Sequence, residues 1–382
     1  MTRNPLSLVF HAPHGLNQTF PSENGKTPEG PVPTRQAHII DDQGMVVRVP
    51  AISANAIRGR LRRAIAEAVY DAVFGEDRAV QRMNWHVAAL LFAGGASMSG
   101  YVATPEALAI LQDLLPVYLM GGQFFTTQIP GRLIAHDVLM VTAKTPPDLF
   151  ELGAAQDFIA DHAPGALRVG ADAGADLDLV HPVRFVKRAD PAILLDDQDQ
   201  PVDPRMELDA HARASLAKVR TPKGATSDTV RQQNLFGYEV SAGNSWWAGG
   251  LDVLGDPAHP EMARWAQSLV RWAAERVFDG QGALGGKLSA GYGLVTGTVL
   301  APDGWPDTEA WRDWLDAYAD THQKYPLAAL LGAGSPLADM ARAAANSKGK
   351  QKQNAKKDAP EAADPPADSV DDGGDEMEIV NA

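Results

Sequence analysis

Glycines at 280, 282, 285, 286, 291 and 293 surround Lys287, Ser289 and Tyr292. Glycine lets a backbone approach a ligand closely and take positive φ. Several exposed N–H groups beside one lysine make a cradle for a sugar-phosphate chain. Two nucleotide motifs overlap this loop, and both fail on context. Gly280-Gln-Gly282-Ala-Leu-Gly285 fits G-x-G-x-x-G, but a dinucleotide fingerprint follows a strand and opens a helix. This loop follows a helical pattern and precedes a strand. Gly286-Lys287 lacks the earlier P-loop glycine and has Leu288 where a Ser or Thr would hold magnesium. What remains is a backbone cradle or a tight helix-to-strand connection with no ligand.

A second group lies at the start of a helical pattern. Ser53 is an N-cap residue type. Asn55, Arg58 and Arg62 follow it, with Arg60 and Arg63 beside them. The macrodipole prefers acids in a first turn, so these arginines work against local helix stability. Free N–H groups with Ser53, Asn55 and Arg58 would hold a phosphate, with Arg62 one turn on. The same pattern also fits a solvated basic face that pairs with Glu67 and Asp71.

Groups for catalysis are sparse. His11 and His14 are spaced like metal ligands, but no third ligand is evident, so a structural role is expected. His38 is the other histidine near the first strand. Asp203 and Asp209 pair with nothing in sequence. With no cysteine, disulfides, thiolate zinc sites, iron–sulfur clusters and cysteine nucleophiles are all excluded. The expectation is no catalysis, no metal and no cofactor.

The elements that must position these residues follow from periodicity. A first strand spans Pro5–His11, then a Pro/Gly-rich loop spans His14–Arg35. A short strand, Met45–Val49, is expected to end at Pro50. Ile57, Leu61, Ile65, Val69 and Val73 recur every fourth residue and predict a helix over Asn55–Phe74. From Gly75 to Gly131 the pattern is helical, with breaks at Gly94-Gly95 and Gly121-Gly122. Strands are expected at His136–Ala143 and His181–Arg188. Leu235–Ser241 and Trp246–Leu254 flank Ala242-Gly-Asn-Ser245 and read as a hairpin. A helix over Pro260–Phe278, the glycine loop and a strand over Leu294–Leu300 complete the pattern. Trp311–Tyr318 and Leu327–Ala345 are expected as helices.

The predicted class is α+β, a βαββαβ palm of ferredoxin-like or RNA-recognition type with large insertions. The parts are 1–74, first half of the palm with loop 14–35; 75–131, helical; 132–189, strands and loops; 190–233, polar; 234–300, second half of the palm; 301–346, helices; and 347–382, a disordered tail. The stretch 75–233 then reads as one large insertion. Within 190–233, Arg213, Lys218, Arg220, Lys223 and Arg231 lie in sequence without a core pattern. That is either an ordinary surface loop or a projecting element that contacts a polyanion or a neighbouring subunit.

Net charge is −14, which argues against a free-standing nucleic-acid binder. The tail from Ser347 holds five lysines and nine acids, so the rest of the chain is still at −10. Any basic residues that meet nucleic acid must therefore be segregated on one face. No apolar run reaches the roughly 18 residues of a membrane helix. The N-terminus does not read as a signal peptide, and the expected location is cytoplasmic.

Gly285-Gly-Lys-Leu-Ser-Ala-Gly-Tyr-Gly-Leu-Val295 resembles the C-terminal glycine-rich motif of the RAMP superfamily of CRISPR systems. The run Val49–Arg63, with Arg58-Gly-Arg-Leu-Arg62 after a small capping residue, is similar to that superfamily's other recurrent motif. Glu239-Val-Ser-Ala-Gly-Asn-Ser-Trp246 is similar to the hairpin before its second helix. The three fall in the family's order. The large middle insertion resembles that of the backbone subunits, type IV proteins most and type I-D second. The resemblance implies a hand-like chain with palm, helical fingers near 75–131 and a thumb near 190–233. It implies a subunit that polymerises in copies of itself along guide RNA (crRNA), beside other effector subunits, and presents it to target DNA or RNA. In that family the thumb of one copy presses on RNA held by the next. Type III members cut target RNA with an acidic residue after the first strand. Here Ala12–Ile40 holds no Asp, only Glu23 and Glu29, so no nuclease activity is expected. An RNA-cutting or RNA-processing member of the superfamily is the alternative.

Overall fold

The computed structural model describes residues 5–18, 33–75, 83–96, 101–146, 149, 153–168, 179–186, 235–285 and 292–343. The chain divides into two units, 1–342 and 343–382, and the account below concerns the first. Residues 190–233, with the five basic positions named above, lie outside the described residues, as do Glu23, Glu29 and positions 286–291.

One eight-stranded antiparallel sheet organises the first unit. Its strands are β1 (Leu6–Ala12), β2 (Gln36–Ile40), β3 (Val46–Ile52), β4 (Leu133–Ala135), β5 (Val138–Met140), β8 (Ser245–Val253), β9 (Gly280–Ala283) and β10 (Leu294–Leu300). The order is β9-β10-β1-β8-β5-β3-β2, with β4 also on β8. The helices that cover it are α1 (Ala54–Phe74) and α5 (Pro260–Phe278). The strands β10-β1-β8-β5 stand in the fourth-first-third-second order of a βαββαβ palm, so the α+β, ferredoxin-like expectation holds.

Alternation along β1 divides the two faces. Leu6, Leu8, Phe10 and Ala12 enter the core under α1 and α5. Phe278 at the end of α5 meets Phe10 edge-on, ring centroids 5.7 Å apart. Val9 points the other way and packs with Ala248 against Ala155 and Ile159 of α4 (Gly153–His162). In α1 the fourfold repeat works as read. Ile57, Leu61, Ile65 and Val69 are fully buried, each contributing roughly 1.5–3 kcal/mol. Truncating Leu61 to Ala costs about 2–5 kcal/mol.

Several expectations are corrected. The second palm strand is β5, not Leu235–Ser241, so extra sequence is inserted on both sides of β5 instead of once between residues 75 and 233. Strand β7 (Leu235–Ser241) pairs with β6 (Val180–Val186) in a separate two-stranded sheet, whereas β8 pairs with β1, β4 and β5. Residues 242–244 therefore pass the chain between sheets and do not close a hairpin. The strand expected over His136–Ala143 is shorter: only Val138–Met140 (β5) is strand, and His136-Asp137 separate it from β4, with the Asp137 carboxylate turned to α1. Pro50 does not end β3. It stands at the end of the β2 ladder, and β3 continues to pair Ala51 and Ile52 with β5. The last helix is also shorter than expected. Leu327–Leu331 is helical, and the glycines at 332 and 334 and Pro336 end it. The helix near Trp311 begins as a tight turn and runs as α6 (Asp313–Thr321).

The insertion before β4 carries α2 (Pro105–Asp113) and α3 (Leu115–Met120). Its two glycine breaks are where expected. Gly94 takes φ 83° and Gly121 φ 60°, and each closes a helical segment.

Candidate nucleic-acid interface

All three motif regions converge on residues 13–18, the segment that leaves β1. From the glycine loop, the Leu284 N–H donates to Gly293 O (2.7 Å), pinching its base, and the Gly293 N–H donates to Gly15 O (3.0 Å). Gly285 has φ +81°, and a Cβ there would stand 2.5 Å from Asn17 O. Only glycine fits both demands. From the middle motif, the Ser241 N–H donates to Leu16 O (2.8 Å), and Ser241 Oγ accepts from the Leu16 N–H (2.7 Å). The buried Asn17 amide donates to Glu239 O (2.6 Å), and the Asn244 N–H donates to Pro13 O (3.0 Å). From the helix motif, Gln18 holds Ser53 twice: Oε1 accepts from the Ser53 N–H (2.6 Å), and Nε2 donates to Ser53 Oγ (2.8 Å).

Ser53 is the N-cap, as its residue type predicts; its Oγ accepts from the Ala56 N–H at 3.3 Å. The anion at this helix start is internal. Asp137 Oδ1 accepts from the Ala54 N–H (2.7 Å), and its Oδ2 pairs with Arg35 (2.9 Å). The helix lacks an acid in its own first turn, and a carboxylate from the β4–β5 break supplies one, as the macrodipole favours. It stands where a phosphate was expected. Asn55 is exposed beside it.

The arginines expected to face phosphate are turned inward, onto main-chain carbonyls. Arg58 donates to Leu133 O (2.5 Å) and Met120 O (3.1 Å). Arg62 donates to Met120 O (3.0 Å), Gly121 O (2.9 Å) and Leu90 O (3.2 Å). Met120 and Gly121 end α3, whose last carbonyls have no helical partner. Two guanidinium groups therefore cap the negative end of α3. Arg60 donates to Ala283 O, at the root of the glycine loop, and lies over the Phe278 ring at 5.2 Å. Burial lowers the pKa of all three, with Arg58 adding to the effect at Arg62. Arginine stays charged regardless, so the charges are held by carbonyl dipoles.

Tyr292 is half-buried where the loop returns to β10. Lys287, Ser289, Gly286 and Gly291 lie outside the described residues. His11 Nε2 is 2.8 Å from Asn244 Oδ1, and His14 and His38 are exposed. No cluster of three His, Cys, Asp or Glu side chains suited to a metal occurs among the described residues. Nor is any helix among them long and apolar enough to cross a membrane. A cavity of about 320 Å³ at the β8–α5 connection is lined by Tyr118, Arg132, Asp256 and His259. Its Arg132–Asp256 pair is closed at 2.8 Å.

Sequence reading missed Gln18, Asn17, Arg35 and Asp137. Asn17 and Gln18 offered one signal, two adjacent amides a few residues after an apolar strand, because buried polar groups must find partners. Asp137 offered none, since its partners are 83 and 102 residues away in sequence.

Fold and site thus define an α+β chain with a ferredoxin-like palm whose motif regions are pinned to one segment after its first strand. No protein-family model matches the sequence, and no curated protein matches it. Among solved structures, the chain is similar to a chain of a Type IV-B CRISPR Complex. The two are 16% identical with a TM-score of 0.41, over 80% of this chain and 96% of that one.

Proposed function

We propose that this chain is a non-catalytic, guide-RNA-binding backbone subunit of a CRISPR effector complex. In this reading copies of it assemble along the crRNA spacer, beside other effector subunits, and present the guide to target nucleic acid. One observation carries the reading. The three sequence runs that resemble the RAMP superfamily are far apart in the chain, yet all bond to residues 13–18. In this reading the glycine loop, anchored by its base at Leu284 and Gly293, follows a sugar-phosphate chain by its N–H groups. Lys287, Ser289, Tyr292 and Asn55 are its proposed side-chain contacts. The guanidinium groups of Arg58 and Arg62 set the shape of the fingers and stay off the RNA. The basic residues of 190–233 are proposed to reach RNA held by the adjoining copy. The acidic total charge fits a subunit whose RNA contacts are local and mostly from backbone.

The test is purification of the protein expressed with its native operon, followed by extraction of bound nucleic acid. The expected result is RNA of uniform length bound by many copies of the chain. A monomer free of nucleic acid under those conditions refutes the proposal. RNA cleavage in magnesium that is lost in Glu23→Ala favours the RNA-cutting alternative.

A further inference from the structure

The palm sheet has a second face, turned away from α1 and α5, and its end nearest the glycine loop carries a partly exposed row. Gln281 of β9 stands opposite Thr296 of β10, Thr296 opposite His11 of β1, and His11 opposite Trp246 of β8. Directly opposed residues share a face, so the four side chains line up across four strands. Their neighbours confirm which face it is. Phe10, Val295 and Trp247 enter the core under the helices, so His11, Thr296 and Trp246 point away from it. Helix α4 covers Val9 and Ala248, and Trp246 packs at the margin of that cluster. Gln281 and Thr296 are exposed, and His11 and Trp246 are half-buried.

The His11 and Trp246 rings are stacked, centroids 4.9 Å apart and planes 29° apart. Asn244 fixes the imidazole through the contact to Nε2, and Asn244 is itself held at φ 53° with its N–H on Pro13 O. The pair is thus preorganised, which lowers the entropy lost when a ligand settles on it. The row contains no Lys, Arg, Asp or Glu, so it offers no fixed charge to draw a phosphate. Aromatic faces flanked by an amide and a hydroxyl suit an unpaired base, which stacks and offers polar edges. Gln281 stands in β9, which ends at the Leu284–Gly293 base of the glycine loop, so the row adjoins that base.

We propose that the His11–Trp246 pair, flanked by Thr296 and Gln281, is a stacking platform for an unpaired base of single-stranded RNA. It rests on the reading above, that the glycine loop holds the same strand by its backbone. The test uses the full chain and two fluorescein-labelled short single-stranded RNAs, one intact and one with abasic residues throughout. Affinity is read by anisotropy at moderate salt. The expected result is that wild type binds the intact RNA about 5- to 150-fold more tightly than the abasic one, the range for one lost base stack. Trp246→Ala and His11→Ala should each remove most of that difference without weakening abasic binding, and Trp246→Phe should restore it. His11→Ala keeps the test decisive if Trp246→Ala unfolds, because Trp246 also packs toward α4. Equal binding of both RNAs by wild type overturns the platform and leaves the loop reading standing. So does His11→Ala that keeps the full preference. Failure of wild type to bind either RNA overturns both. Retention of a protein partner through Trp246 with no RNA preference would make the row a protein-docking face and likewise overturn the proposal.

Discussion

Replacing Arg62 with Met separates a structural arginine from one that grips RNA. Methionine keeps much of the apolar stem and a good helix propensity, so the change removes chiefly the guanidinium. Three contacts are lost, to Leu90 O, Met120 O and Gly121 O. They are not equal. Leu90 O still accepts from the Gly94 N–H, and Met120 O still accepts from Arg58. Gly121 O loses its 2.9 Å charged donor in a buried place. A hydrogen bond from a charged donor contributes about 1.5–3 kcal/mol, and an orphaned buried carbonyl costs about 1–3 kcal/mol. Relief of repulsion from Arg58 offsets part of this. The net expectation is roughly 2–4 kcal/mol of lost stability. At about 2–3 °C per kcal/mol for a large domain, the melting temperature falls by about 4–12 °C. Thermal unfolding by circular dichroism checks the loss, and anisotropy below the melting range checks RNA affinity, which should stay within about threefold. A variant as stable as wild type that binds RNA tenfold or more weakly would refute the inward assignment and return Arg62 to the interface.

Three further outcomes are expected. Lys287→Glu should weaken RNA binding about equally for all sequences and lower the slope of log K against log salt by about 1, read in a salt titration; an unchanged slope removes Lys287 from the phosphate contacts. Gly285→Ala forces a Cβ toward Asn17 O at a left-handed φ and should cost about 2–4 kcal/mol, read as a lower melting temperature; wild-type stability would mean that the loop root does not need glycine. The Tyr325 hydroxyl, and then Lys324, hold the exposed Glu106 carboxyl below its ordinary pKa. A depressed carboxylate stabilises the fold above its unfolded pKa of about 4.3, and the contribution is lost as pH falls through the lower folded value. Glu106→Gln should therefore lose a little stability near neutrality and be less sensitive than wild type below about pH 4, in melts across that range. An identical pH profile for the two proteins would show that the contact contributes nothing.

What the sequence revealed depended on whether a feature was local. Helix α1 was legible because Ile57, Leu61, Ile65 and Val69 obey one period and Ser53 is a capping residue. The turn residues at 242–245 were also local, but they misled. A turn says that the chain reverses and does not say which strand receives it, and here the Ser241 and Asn244 N–H groups go to Leu16 O and Pro13 O. Strand β5 was blurred because only Val138–Met140 belong to it, and Asp137 beside them serves a helix cap instead of a ladder. The arginines of α1 were conspicuous by type, but their partners are main-chain carbonyls, which no residue type announces. The glycine at 285 was legible as a special backbone position. That it yields to Asn17 could be learned only from the fold.

The place of β1 in the sheet has a consequence for synthesis. Its residues Leu6–Ala12 are flanked by 245–251 on one side and 296–300 on the other. At about 5–20 residues per second, the ribosome needs roughly 14–58 s after making β1 to deliver both neighbours. Until residues 245–251 are made this apolar strand has neither edge paired, and until 296–300 follow one edge stays open, which is the condition under which nascent chains associate wrongly. The long sequence separation of β1 from both of its neighbours makes the middle of the sheet a late-forming element, slowed by the loop closures it needs.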